Sequence, residues 1–439
     1  MESARRPPFF RFHLSVRDVL CALGILFFLG RLQIDSIPNR LSGVKLRPPA
    51  SNAKPDAQIM PVLFRSLKRR EREMVDLLGE FVACESPSHE KTGVDRMAVL
   101  VAMEWQRRGA RVQILPQPKR GDHVRVEAWP GEGVSPGQIL VLGHLDTVYP
   151  VGTLAKMPFR VSGGRAWGPG TFDMKAGLVL ALFAYDVLNS LGLHPRKRVV
   201  FLWTSDEEIG SGTSRPVIER EARRRDAVLV LEPSLGREGR LKTSRKGVGH
   251  AELIVTGRAA HAGINPQDGV NAVHELALQI ARVMKMNDPR RGVTVQATVA
   301  AGGTASNVVP DHARAEVDIR LARQSDARAI ERKLRALRPV LKGARLQVQG
   351  GVNRPPLERT EAVVELFRRA QSLMSEVGLK LGEAATGGGS DGNFTGALGI
   401  PTLDGLGAVG DGAHTPREHV VIRKLPERAA LLAGLLATL

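Results

Sequence analysis

The sequence predicts an α/β protein: a mostly parallel sheet covered on both faces, with a βαββαβ, ferredoxin-like domain inserted into it. Three observations lead there. Between residues 138 and 232 short apolar runs alternate with helical patterns, the rhythm of a parallel sheet buried by its crossover helices. From about 248 to 353 the order becomes strand, helix, strand, strand, helix, strand, the split βαβ arrangement. After 354 a helix and a strand resume the first rhythm. The expected organisation is therefore an N-terminal segment over 1–59, a first catalytic part over 60–247, the inserted domain over 248–353 and a second catalytic part over 354–439.

The elements follow in order. Arg65 to Arg108 reads as helix, interrupted by "ESPSHEKTG". "QILVLGHLD" is a buried strand running into a polar end, and "DMKAGLVLALFAYDVLNSLG" is an apolar helix opening at Asp173. "RVVFLWTS" and "DAVLVLE" are two further buried strands. In the insertion, "GHAELIVTG" alternates in polarity as a half-buried strand does, and "DGVNAVHELALQIARVMKM" is amphipathic. "GVTVQATVAAGG" and "HARAEVDIRLA" are strands, followed by the helix "QSDARAIERKLRALRPVL" with Ser325 and Asp326 as expected caps, and by the strand "ARLQVQGG". "TEAVVELFRRAQSLMSEVG" and "IPTLDGLG" return the chain to the main sheet.

At 439 residues, with 43% hydrophobic and 25% charged side chains, the chain has ample material for a buried core. Two cysteines exclude a disulfide framework and a cysteine-rich zinc module, so any metal must be held by His, Asp and Glu. The 63 basic residues against 45 acidic ones give a net charge of +18. That surface suits acidic partners in general, but no nucleic-acid motif accompanies it and two tyrosines make a poor stacking platform, so no nucleic-acid partner is expected. Arg5, Arg6, Arg11 and Arg17 precede the apolar run "VLCALGILFFLG", Val19 to Gly30. The run is short for a membrane span and suits a signal core, although no small-residue cleavage site follows. It reads as an export or anchor signal, giving a periplasmic or membrane-anchored protein with membrane association through this segment; a start at Met60 gives a cytoplasmic one.

Ligands of open α/β sheets gather at the carboxyl ends of the strands, and this edge collects metal-type side chains. The first strand delivers His144 and Asp146, on one face by strand periodicity. The second ends in Asp206, Glu207 and Glu208, and the third in Glu232. Asp173 follows a glycine turn, and His414 lies in "GAVGDGAHTPRE". Singly, each has a plainer explanation: a helix N-cap for Asp173, a loop histidine for His414, a solvated face for the glutamates. Together they crowd carboxylates that would repel and protonate without a compensating cation. Oxygen and nitrogen donors without thiolate suit zinc, and also cobalt or manganese.

The set "GHLDTVYP", "GPGTFDMKAG", "TSDEEIGS", "LEPS" and "GAHTPRE" resembles the two-zinc aminoacylase/carboxypeptidase metallopeptidase family over nearly all of residues 62 to 439. "TGGGSD" and "DGLGAVGDGAHTP" look most like its glutamate carboxypeptidase, or carboxypeptidase G-type, branch. The resemblance implies a zinc-peptidase catalytic domain with a lid and dimerisation domain inserted. It implies that Asp173 bridges two zinc ions, that His144 and Glu232 complete one site, and that Glu208 and His414 complete the other. Asp146 would orient His144, and Glu207 would be the general base of a metal-assisted amide hydrolysis. His261 would stabilise the oxyanion, usually from across a dimer; Asn307 and Arg320 would hold a substrate carboxylate, with Thr386 and Gly389 lining the cleft. The implied enzyme is a homodimeric zinc carboxypeptidase or amidohydrolase releasing a C-terminal amino acid, glutamate being one candidate, from an N-acyl amino acid or short peptide. The alternative within the family is a deacylase of the acetylornithine deacetylase or succinyl-diaminopimelate desuccinylase type.

Overall fold

Residues 58–129 and 136–439 are described by the structure, a computed structural model. The signal-or-anchor reading concerns a segment outside the described residues. The predicted helical stretch is three helices, Met60–Arg69, Glu71–Ala83 and Lys91–Arg107. Each buries one stripe, such as Leu63 and Leu67, Leu78 and Phe81, or Met97, Val101 and Trp105. The break between the last two helices falls on the Ser-Pro-Ser stretch, where Pro87 disfavours the helical region for the residue before it.

The main sheet has six strands in the order Arg111–Leu115, His123–Ala128, Arg198–Thr204, Gln138–His144, Ala227–Val230 and Thr402–Leu403. All run parallel except His123–Ala128, which is antiparallel to both neighbours. Alternation along the strands feeds two cores. Ile139, Val141, Val199, Phe201 and Trp203 face a large core built with the apolar helix Ala176–Leu191 and the helix Leu425–Thr438. Leu140, Leu142, Val200, Leu202, Val228 and Val230 face a smaller core with Ile218 and Phe394. Burial on both faces explains why these strands read as continuous apolar runs. The two strands at one side of the sheet, Arg111–Leu115 and His123–Ala128, were not expected: their charged residues hide a strand signal inside what looks like a loop.

Residues 247–354 form a four-stranded antiparallel sheet in the order Thr294–Gly302, His312–Leu321, Gly247–Thr256 and Arg345–Arg354. The helices Ala272–Met284 and Gln324–Arg335 pack against it over their own core of Leu253, Val255, Leu276, Val317, Ile319 and Ile330. The expected caps of the second helix are not used. Its N-cap is Arg323, without a side-chain cap, and Asp326 turns inward instead, where Arg291 Nε donates to it at 2.9 Å. An ion pair to a neighbouring loop outcompetes a local cap here.

A second unexpected element positions the site. Arg160–Ser162, Arg165–Trp167, Gly410–Asp411 and His419–Val421 form a small antiparallel sheet. Its Arg165–Trp167 strand leads into Asp173, and its last two strands flank the loop carrying His414. Pairing of His419 opposite Trp167 thereby brings two segments far apart in the chain to the same edge of the main sheet.

Candidate metal centre

His144 closes the central strand Gln138–His144 and is buried. Its Nε2 lies 3.3 Å from Asp173 Oδ1 and 3.4 Å from Glu232 Oε1. The other histidine repeats the pattern: His414 Nε2 lies 3.3 Å from Asp173 Oδ2 and 3.3 Å from Glu208 Oε2. Asp173 thus offers one oxygen to each imidazole, and each imidazole has one further carboxylate of its own. Glu207 joins the first group, since ligand atoms of His144, Glu207 and Glu232 all lie within 4.8 Å of one another.

Local backbone explains these directions. Asp173 is not the start of a regular helix; the turn Thr171–Lys175 carries it at φ −116°, ψ 94°, and the helix begins at Ala176. Glu207 and Glu208 open a short 3₁₀ turn, so their side chains diverge and reach different neighbours. His414 sits at φ 61°, the left-handed region, which turns its ring back toward Asp173.

Asp146 does more than orient a histidine. Its Oδ1 lies 3.5 Å from His144 Nδ1, which contacts the Asp146 backbone oxygen more closely, at 3.0 Å. Its carboxylate also accepts the backbone N–H groups of Glu207 and Glu208 at 3.2 Å each and the Ser88 hydroxyl at 2.6 Å. One buried anion therefore fixes both the imidazole and the turn bearing the two glutamates.

The electrostatics call for positive charge. Burial opposes charge on His144, yet the carboxylates of Asp146, Asp173 and Glu232 hold its pKa well above the usual imidazole range. Hydrogen bonds to Asp173 and Glu208 push His414 up to about 10. Burial likewise favours protonation of Glu207, well above the carboxylate range, and of Glu208 to a lesser degree. The carboxylates thus favour positive charge at the nitrogens that would face a cation. A divalent ion coordinating those nitrogens would neutralise the same carboxylates more completely. The donor set fits: two imidazoles and oxygen donors, no thiolate, and a buried Glu208 Oε1 with no hydrogen-bond partner among the described residues.

Three residues that sequence reasoning missed hold this centre. Glu418 accepts the N–H groups of Gly170, Phe172 and Asp173 at 3.2, 2.8 and 2.9 Å, and the Tyr149 hydroxyl. Arg354 Nη2 donates to Glu207 Oε1 at 2.9 Å, to the Glu207 backbone oxygen at 2.8 Å and to Ser211 Oγ at 2.7 Å. Arg245 pairs with both oxygens of Asp404 at 2.8 and 2.9 Å, reaches Glu232 at 3.3 Å and donates to the carbonyl oxygens of Gly388 and Gly389. Nothing local distinguishes these from surface arginines and glutamates; only the burial of their heads does.

The remaining expected residues divide. Arg320 donates to the Gly387 carbonyl oxygen at 3.3 Å and pairs with Asp318, so it stands beside the Thr386–Gly389 loop. A Cβ at Gly389 would come within 2.9 Å of Val248 and 3.0 Å of Arg354, so glycine permits the approach there. His261 and Asn307 lie together on the inserted domain: the Ala262 N–H donates to the Asn307 carbonyl oxygen at 2.9 Å. His261 is exposed, its Nδ1 accepting from the N–H groups of Gly263 and Ile264 at 3.1 Å. Neither touches the cluster within one chain among the described residues.

Asp173 thus stands between two imidazoles, each with a glutamate beside it. Residues 140–438 match the model of peptidase family M20/M25/M40. The chain belongs to that family. Carboxypeptidase G2 of Pseudomonas sp. (strain RS-16) is 32% identical over 384 residues, covering 86% of this chain and 92% of that protein. A succinyl-diaminopimelate desuccinylase of Leptothrix cholodnii is 28% identical over 375 residues, covering 80% and 94%. Among solved structures, aminopeptidase PepT from Bacillus cereus superposes with a TM-score of 0.68 at 22% identity, covering 84% of this chain and 98% of that one, which establishes the shared fold. This family member is a hydrolase of the metallopeptidase and carboxypeptidase class.

Proposed function

We propose that this M20 enzyme is a two-zinc hydrolase that releases a C-terminal amino acid, glutamate foremost, from an N-acyl amino acid or short peptide. The observation that carries the reading is Asp173, with one carboxylate oxygen 3.3 Å from each of two imidazoles. His144, Asp173 and Glu232 would hold one ion, and His414, Asp173 and Glu208 the other. When bound, the ions would polarise the scissile carbonyl and lower the pKa of the attacking water. Glu207, buried beside His144 and Glu232 yet free of both histidine ion pairs, is the base: its carboxylate takes the proton of that water and returns it to the leaving amine. Arg354 steers the Glu207 carboxylate while leaving one of its oxygens for the proton. Asp146 keeps the His144 ring and the glutamate turn in register.

Arg320, beside the Thr386–Gly389 loop, suits the product carboxylate, which an arginine grips through two parallel hydrogen bonds. His261 and Asn307 complete the site only if a second copy supplies them, which makes a homodimer the working assembly in this proposal. The greater identity to carboxypeptidase G2, 32% against 28% for the desuccinylase, favours release of an amino acid over removal of a succinyl group.

Metal analysis of the purified protein, coupled to hydrolysis of N-acylglutamates, dipeptides and N-succinyl amino acids with and without chelator, tests this. Two equivalents of metal per chain and chelator-sensitive release of glutamate are expected. Turnover of N-succinyl substrates alone overturns the carboxypeptidase reading, and full activity in metal-free protein overturns the centre itself.

A further inference from the structure

Among the described residues two lysines are buried, Lys175 and Lys242, and their surroundings differ. Lys175 is satisfied: its ammonium donates to the carbonyl oxygens of Phe81 and Cys84 at 3.0 and 2.7 Å. Lys242, only 7% exposed, has neither a hydrogen bond nor an ion pair from its ammonium among the described residues. The strand Leu241–Arg245 explains where it points. That strand pairs in parallel with Glu383–Thr386, and the register slips by one residue, Lys242 standing opposite Ala384 and Ser244 opposite Ala385. The extra residue, Thr243, shifts the alternation of faces, so Lys242 shares a face with Arg245. Both cations accordingly feel the same carboxylates, Asp404 and Glu232.

Those carboxylates are already committed. Asp404 gives both oxygens to Arg245 and also accepts the Ser390 hydroxyl at 2.6 Å and the Gly405 N–H. Glu232 lies against His144 and Arg245. Asp173, the third carboxylate that favours charge on Lys242, serves the two imidazoles. Burial and the neighbouring Arg245 guanidinium push the Lys242 pKa down to about 8, so the ammonium remains mostly charged at neutral pH. A buried ammonium without a partner is a cost to the folded chain, which a carboxylate brought in by a ligand would offset. Position says which carboxylate. The strand paired with Lys242 runs straight into the Thr386–Gly389 loop beside Arg320, while Glu232 and Asp173 of the candidate centre are near enough to act on its charge.

We infer that Lys242 is a specificity-determining residue that grips the side-chain carboxylate of an acidic amino acid in the leaving group. This rests on the carboxypeptidase reading proposed above, in which Arg320 takes the other carboxylate, and it narrows the substrates to N-acyl or peptidyl derivatives of a dicarboxylic amino acid.

The test compares N-acetylglutamate with N-acetylglutamine, nearly equal in shape and different in charge. Turnover is measured in native protein, and affinity by calorimetry in metal-loaded Glu207→Gln protein, each with and without a change at Lys242. A hydrogen bond to a charged partner separates the two ligands by about 10–100-fold in kcat/KM and in affinity. Lys242→Met should erase that preference, leave N-acetylglutamine turnover at the native rate, and melt no lower than native protein, because it removes an unpaired buried charge. Lys242→Gln, which keeps a polar head, should lose the preference equally and serves if the methionine variant does not fold. Absence of the preference in native protein, or its survival in both variants, overturns the inference. So does a Lys242-dependent preference for N-succinylglutamine over N-acetylglutamine, which would put the recognised carboxylate on the acyl side. Binding preference without hydrolysis sinks the carboxypeptidase reading and keeps the role of Lys242; hydrolysis without preference does the reverse.

Discussion

Replacing Glu418 by alanine tests whether the Asp173 turn is held as described. Glu418 is fully buried and accepts three backbone N–H groups of the Gly170–Asp173 turn as well as the Tyr149 hydroxyl. Tyr149 has a second acceptor, the Thr415 carbonyl oxygen at 3.0 Å, so it is not orphaned. The three N–H groups are. A buried donor left without a partner costs ~1–3 kcal/mol, and water entering from the adjacent cleft keeps each near the lower end. The sum is about 3–5 kcal/mol, a large share of the ~5–15 kcal/mol that holds a typical protein folded. In a metal-depleted sample, where ion binding cannot mask the loss, thermal unfolding should fall by roughly 6–10 °C at ~2 °C per kcal/mol. Because the same N–H groups orient Asp173, metal affinity should weaken as well, by roughly 10–100-fold in a chelator competition. Glu418→Gln keeps one acceptor oxygen and should lose about half as much. If Glu418→Ala melts within a degree of native protein and competes equally with chelator, the turn is held by something else and the account of its geometry is wrong.

Glu207→Gln should retain its metal complement and lose on the order of 10³-fold in kcat, read by metal analysis beside initial rates; native turnover would remove Glu207 as the base. Arg245→Ala strips a buried Asp404 of its partner and frees the Gly388–Gly389 loop, so it should cost ~3–5 kcal/mol in stability and raise KM, measured by thermal unfolding and by kinetics of the folded fraction. Burial alone would raise the Glu275 carboxyl, but hydrogen bonds from Gln279 and from the N–H groups of Leu341 and Val340 hold it below the usual range. A depressed folded pKa means its stabilisation is complete above the unfolded value of about 4.3 and is lost as pH falls through the folded one. Hydrogen exchange at Val340 and Leu341, corrected for intrinsic rates, should accelerate across that acid window in native protein and show no such step in Glu275→Gln.

The sheet and the cluster were readable from sequence for one reason: both are built from signals local to a short stretch. An apolar run such as Ile139–Leu142, ending in His144, declares a doubly buried strand and its functional end together. The five ligand candidates could be nominated because strand order and glycine turns put them at one edge. What escaped was pairing between distant segments. The strand Arg165–Trp167 has three residues, and it meets His419–Val421 only across the whole of the inserted domain. Arg245, Arg354 and Glu418 look like solvated charges until the fold buries them against partners that lie 147 residues away for Arg354–Glu207 and 245 for Glu418–Asp173. The capping residues of Gln324–Arg335 failed in the same way, since Asp326 prefers an arginine from another loop to its own helix.

The hairpin that delivers His414 has a consequence for how the enzyme comes to be. His144, Asp173, Glu208 and Glu232 all precede the inserted domain, and His414 follows it, on a loop fastened by the small antiparallel sheet. During synthesis the proposed ligands His144, Asp173 and Glu232 emerge early, while the proposed set of Asp173, Glu208 and His414 stays one imidazole short until the entire insertion has been made and the hairpin has zipped onto Arg165–Trp167. Such long-range closure is a late event in folding. If two ions do the chemistry, as proposed, a nascent hydrolase of this design would stay idle beside the ribosome, and competence would arrive together with maturity.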